Sequence, residues 1–183
     1  MSVTEYLRAI ERSSRHGNAT EHTYRPDLKE LLESLADIDA TNEPKRAQCG
    51  APDYVITRQK DRLTIGYIEA KDVGVDLAAV EKTEQIKRYQ AHLPNLLLTD
   101  YLEFRWYVQG ERGLEKRGVA ALGRLTASGK IVADPEEQER ALMLIKGFLA
   151  QRPIAIHSAS ELALRLAPHT HGARYHRRSF RLR

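Results

Sequence analysis

The chain has 183 residues, 42% apolar and 30% charged, enough for one ordinary core under a water-facing surface. No stretch approaches the roughly 18 uninterrupted apolar residues of a membrane span, and the charged start MSVTEYLRAIERSSRHG lacks the apolar centre of a secretory signal. A single cysteine, Cys49, excludes an internal disulfide framework and a thiolate metal cluster, so a reducing, cytoplasmic setting with no membrane partner is expected.

The net charge of +4 belongs mostly to the end of the chain. HTHGARYHRRSFRLR (169–183) holds five arginines and no acid, and the 24 other basic residues nearly balance the 25 acids. Such an end can touch phosphate without sequence preference or remain a solvated, disordered tail.

Val3, Tyr6, Leu7 and Ile10 recur at the single-face spacing of a helix, which RHGNA then breaks. Thr20 can cap a second helical segment in which Leu28, Leu31, Leu32 and Leu35 repeat the stripe. Pro26 disfavours a helical Arg25 and removes a donor, so the helix is expected over 26–36, with 20–25 a separate turn or a kinked first part. Residues 39–50 read as loop. APDYVIT and LTIGYIEAK flank the polar turn RQKDR and predict a β-hairpin with strands over 52–57 and 63–71. Residues 76–93 have helical composition, NLLLTD (95–100) reads as a buried strand, and EFRWYVQG (103–110) alternates like another. GLEKRGVAALGRLTASG is looser and punctuated by glycine. Asp134-Pro135-Glu136-Glu137 starts a helix that should run to residue 150, and Ser158 with Glu161 repeats the capping pattern before a last short helix. The order α, α, β, β, α, β, β, α, α predicts an α/β fold with a mixed sheet and no internal repeats.

The hairpin carries charges inside its best strands. With the turn centred near Lys60, Asp53 lies opposite Tyr67, and alternation puts Tyr67, Glu69 and Lys71 on that same face. A one-residue slip would turn Asp53 away. Two readings fit the cluster. One is a half-buried salt bridge of Lys71 with Glu69 or Asp53, which the pattern taken alone favours. The other is a hydrolytic metal site, because two neighbouring carboxylates repel unless a cation lies between them and oxygen ligands suit Mg²⁺. The apolar neighbours Pro52, Tyr54, Val55, Ile56, Ile65, Tyr67, Ile68 and Ala70 supply the rigid support that a metal site gains from.

Pro52-Asp53 followed by Glu69-Ala70-Lys71 resembles the PD-(D/E)xK signature of the restriction-endonuclease-like superfamily. ATEHTYRPDLKELLESL (19–35), NEPKR (42–46), EQIKRYQ (84–90) and NLLLTDYLEFRWY (95–107) resemble, in the same order, one group within it. That group is the N-terminal nuclease domain of bifunctional, type IIG or type I-like single-chain restriction–modification enzymes. The resemblance covers roughly residues 17–165. It implies a restriction-endonuclease-like α/β core with a mixed central sheet of about four strands flanked by helices. An N-terminal helix (1–16) would precede that domain, a connecting helical region would begin near 134, and a basic tail (168–183) would follow.

The same resemblance implies a Mg²⁺-dependent DNA endonuclease, with Mn²⁺ as a possible substitute. Asp53 and Glu69 would bind metal with the Ala70 carbonyl, Lys71 would be the catalytic lysine, and Glu21 an upstream acid completing the site. Gln85 and Tyr89 match a Q-x-x-x-Y motif; four apart, they share a helix face, with Gln85 turned to the active site. Tyr89, Lys87 and Arg88 would meet DNA. Plainer roles stand beside these: Glu21 as a first-turn acid, Tyr89 packed with Ile86 and Leu93, Lys87 and Arg88 solvated. Phe104, Trp106 and Tyr107 read as packing, and His169, His171 and His176 have no zinc spacing.

Double-stranded DNA is the implied partner, with a methyltransferase and target-recognition domain downstream and a possible dimer on DNA. The chain carries no N-P-P-[YF] motif, and PHTHGARYHRRSFRLR is unlike the family's continuation, so a truncated or frameshifted remnant or an excised domain is expected. The rival expectations are a structure-specific repair nuclease or junction resolvase of the same fold, and a non-catalytic DNA-binding module.

Overall fold

The computed structural model describes residues 1–15, 19–42, 50–110 and 113–152. The first helix, α1 (Val3–Ser14), starts in a capping box between Ser2 and Glu5 and buries Tyr6, Leu7 and Ile10 of the stripe read from the sequence, with Ala9 beside them and Val3 half-buried. The second, α2, spans Glu21–Leu35 without interruption, so the helix expected over 26–36 begins five residues earlier and runs through Pro26. An interior proline costs roughly 3 kcal/mol. Tertiary contacts offset it: the Tyr54 hydroxyl donates to the Arg25 carbonyl at 2.8 Å and the Tyr101 hydroxyl to the Glu21 carbonyl at 2.5 Å.

A strand, β1 (Ile38–Asn42), follows where a loop was expected; its inward residues Ile38 and Ala40 are buried and it pairs with the next strand along its whole length. The hairpin forms as β2 (Tyr54–Arg58) and β3 (Thr64–Ala70). Its register differs from a Lys60-centred turn by two residues, with Tyr54 opposite Ile68. The turn closes with Arg58 N–H on the Leu63 carbonyl at 2.9 Å, a slide of one residue that alone would have turned Asp53 to the wrong face. A bulge then passes over Ile65, between the pairs Thr57–Thr64 and Ile56–Gly66, and adds the second residue. Two slips restore the face.

The helical stretch expected over 76–93 divides into α3 (Leu77–Val80) and α4 (Glu84–His92), each with its own cap at Asp76 and Thr83. β4 (Asn95–Thr99) is buried at all five residues, and β5 (Glu103–Gly110) hairpins into β6 (Gly113–Ala121). The glycine-rich region read as loose is thus a nine-residue strand. It lies at the sheet edge, so its run Glu115-Lys116-Arg117 stays in solvent, and a bulge sets Gly118 opposite Trp106. The two-residue strands β7 (Arg124–Leu125) and β8 (Ile131–Val132) pair beside it, and α5 (Pro135–Leu149) begins at the Asp134 cap.

Six strands therefore form one sheet in the order β1-β2-β3-β4-β5-β6, two more than expected; β3 and β4 are parallel and the other pairs antiparallel. On one face, Leu28, Leu31 and Ile10 of the first two helices and Phe148 of α5 close over Ile56, Ile68, Leu97 and Phe104. On the other, Leu77, Ile86 and Tyr89 cover Leu96, Leu98 and Tyr107. Phe104 and Tyr107 are packing residues as read, and the Trp106 indole N–H donates to Asn95 at 2.7 Å. Among the described residues, no helix is long and apolar enough to cross a membrane. Cys49, the helix expected after Ser158, the tail and its histidines lie outside the described residues.

Candidate active site

The charged residues singled out in the hairpin meet where β2 begins and β3 ends, on the α4 side of the sheet. Pairing of Tyr54 with Ile68 carries Asp53 to a place across from Glu69. Its carboxylate is fixed at both oxygens: Oδ2 accepts the Ala70 N–H at 2.8 Å and Oδ1 is paired with the Arg25 guanidinium. The chain approaches Asp53 through Gly50, whose φ of +116° suits glycine and whose added Cβ would stand 3.2 Å from the Tyr89 ring. The Tyr89 hydroxyl donates to the Ala51 carbonyl at 2.9 Å. Helix α4 thus holds the residues that lead into Asp53.

Glu69 is 2% exposed in the middle of the sheet. Its Oε1 accepts from Lys71 Nζ at 2.6 Å and from Gln85 Nε2 at 2.9 Å. Among the described residues, its Oε2 is buried with no hydrogen-bond partner. Burial first, and the Asp53 charge second, push the Glu69 carboxyl up to about 7 against the pull of Lys71. For Lys71 burial works downward, yet the hydrogen bond to Glu69 and the surrounding carboxylates hold its ammonium above the ordinary lysine value. Lys71 continues the ladder through its N–H on the Thr99 carbonyl, which fixes its backbone beside β4.

Gln85 and Tyr89 share one face of α4 as expected, with Gln85 Nε2 3.4 Å from the Tyr89 hydroxyl and Gln85 Oε1 3.4 Å from Lys71 Nζ. Tyr89 is buried among Ile86 and Leu93, so its packing role and its place beside the site hold together. Lys87 and Arg88 are exposed; Lys87 pairs with Glu84, and Arg88 lies over the Tyr89 ring 5.9 Å from its centre.

Glu21 sits one turn from Arg25 on α2, and this pair was not foreseen. Arg25 is 4% exposed; Nη2 meets Glu21 Oε1 at 2.9 Å as well as Asp53, and Nη1 meets Asn42 Oδ1 at 3.2 Å. The signal in the sequence was the i, i+4 spacing of Glu21 and Arg25, legible only if the helix passes Pro26.

Whether these residues suit a cation turns on Glu69. A buried carboxylate oxygen without a donor, beside a second carboxylate, is an arrangement that a divalent ion completes. Among the described residues no group of three or more Asp, Glu, His or Cys side chains is placed to hold a metal ion, so the ion would rest on the Asp53 and Glu69 pair with backbone and water oxygens. A separate cleft of about 510 Å³ beside the start of α5, lined by Arg124, Glu136, Glu137 and Arg140, contains none of the site residues.

No protein-family profile matches the sequence, and no curated protein aligns with it. Among solved structures, the chain is similar to DrdV in a cryo-electron-microscopy DrdV–DNA complex, with a TM-score of 0.58 and 19% identity over 82% of this chain. A crystal structure of the type IIG restriction endonuclease BpuSI matches with a TM-score of 0.47 and 11% identity, over 79% of this chain and 18% of that one. The chain spans 14% of the length of the DrdV chain. The likeness to DrdV is one of fold: a mixed α/β domain whose six-stranded sheet is flanked by helices.

Proposed function

We propose that this chain is a Mg²⁺-dependent DNA endonuclease domain of the restriction–modification kind, with Mn²⁺ as a substitute ion. The observation that carries the reading is the bare, buried Oε2 of Glu69 beside the fixed carboxylate of Asp53. Asp53, Glu69 and the Ala70 carbonyl would hold the ion. Bound there, it would polarise a phosphodiester and acidify a water.

The chain's own residues have defined parts. Gln85 and Lys71 both bond Glu69 Oε1, so Oε2 is the oxygen that would meet the ion. Lys71 keeps its proton, is partly exposed, and can donate to a phosphate oxygen or to the incoming water as charge develops. Exposed Lys87 and Arg88, next to Gln85 on α4, can meet neighbouring phosphates of double-stranded DNA. Support for DNA as substrate is the DNA bound by DrdV, and the 14% span leaves room there for further domains. A methyltransferase and target-recognition partner fits that proportion.

The test is nicking of supercoiled plasmid with Mg²⁺, with EDTA, and by Asp53→Ala and Lys71→Ala. Chelation should abolish nicking, and each substitution should lower the rate by about 10²–10⁴-fold. Undiminished cutting by both variants would overturn the site.

A further inference from the structure

The three carboxylates of the site are held in two different ways. Glu69 meets Lys71 and Gln85 with one oxygen and leaves the other bare. Glu21 and Asp53 instead face a common guanidinium, with Asn42 closing its other side. A guanidinium keeps its charge at every pH a protein survives, and this one is 4% exposed. Its helix cannot easily carry it away, because Tyr101 and Tyr54 hold the carbonyls of Glu21 and Arg25 themselves. Withdrawal of the side chain alone would leave two carboxylates facing one another. Among the described residues of the site, three acids against Arg25 and Lys71 leave one uncompensated negative charge, which a single divalent ion already exceeds.

We infer that Arg25 is the resident cation of the site: it takes Glu21 out of the metal's ligand set, and one divalent ion binds between Asp53 and Glu69. The inference rests on the metal site proposed above and sharpens it. Glu21 becomes a positioning residue, fixing Arg25, which fixes Asp53 Oδ1 while the Ala70 N–H fixes Oδ2. Ligands and positioners then separate by chemistry. A ligand must offer an oxygen to the ion, whereas Glu21 needs only to accept from Arg25, which an amide oxygen does as well.

The experiment counts Mn²⁺ bound by the full chain, from the paramagnetic resonance of the free ion, with circular dichroism confirming the fold of each variant. Wild type should bind one ion. Glu21→Gln should keep that ion within about threefold in affinity, while Asp53→Asn and Glu69→Gln should each weaken it by more than about tenfold. Arg25→Met should raise the count to two, since Glu21 and Asp53 then share a vacant anionic place, and Arg25→Lys should return it to one. Two ions on wild type, or Glu21→Gln as weak as Asp53→Asn, would overturn the role of Arg25 and leave the metal site standing. No saturable Mn²⁺ on wild type would overturn the metal site itself. Should Arg25→Met fail to fold, Glu21→Gln still decides the question.

Discussion

Glu69 and Glu81 are both acids on the α4 side of the sheet, and both are met by a lysine and other donors, yet their carboxyls move in opposite directions. Burial pushes both upward. At Glu81, Lys116 at 2.7 Å, the Tyr107 hydroxyl and Arg105 at 3.0 Å all converge on Oε1, outweigh burial and hold the group down to about 2. At Glu69 a deeper burial and the nearby Asp53 charge win, and the carboxyl rises to about 7 with Oε2 bare. The sheet puts them close: Glu69 pairs with Leu98 and Leu98 with Arg105, one row across three strands. Equal residue types on one surface thus make a closed structural clamp and an open, unsatisfied site. Charge alone does not mark function; incomplete satisfaction of a buried charge does.

Glu81→Ala removes the acid from three donors and leaves Arg105 with Glu103 alone, so urea unfolding should lose about 2–4 kcal/mol while Mn²⁺ binding stays unchanged. Glu69→Gln should do the reverse. It should raise the stability of the metal-free protein at pH 8 by about 1–3 kcal/mol while losing the ion.

The sign follows from protons. The folded carboxyl holds its proton to about 7, above its ordinary 4.5, so between those values the folded state binds more protons than the unfolded one. Metal-free wild type should therefore lose stability as pH rises from about 4.5 to 7 and level off above, and Glu69→Gln should lack that slope. Mg²⁺ competes with the same proton, so its stabilising effect should grow through pH 7. A flat melting-temperature profile for metal-free wild type across that window would mean that Glu69 is as satisfied as Glu81. Smallest is Tyr89→Phe, which deletes the bond to the Ala51 carbonyl and should cost about 1 kcal/mol with a modest fall in nicking.

Much of the hairpin was legible because strand parity is a local rule. Asp53, Glu69 and Lys71 do share a face, although by a register two residues from the expected one. β4 was legible for the same kind of reason, since a short continuous apolar run suits a strand buried on both sides. β1 and β6 were not. IDATN and GLEKRGVAA are edge strands whose outer residues stay polar, and pairing with a neighbour makes them strands more than their own composition does. Arg25 was hidden by Pro26, whose local rule ends helices.

From the sequence alone come the α/β order, the apolar stripe of α1, the cap of α5, the buried central strand and the three charged groups that one hairpin end gathers. These rest on periodicities of two and 3.6 residues and on capping chemistry, which act over a few positions. Tertiary structure alone decided that α2 continues past Pro26, that a bulge at Ile65 keeps Asp53 facing Glu69, and that Arg25 lies between Glu21 and Asp53. Each depends on partners dozens of residues away, Tyr54, Tyr101 and Asp53 among them, whose hydrogen bonds outweigh the local preference of the backbone.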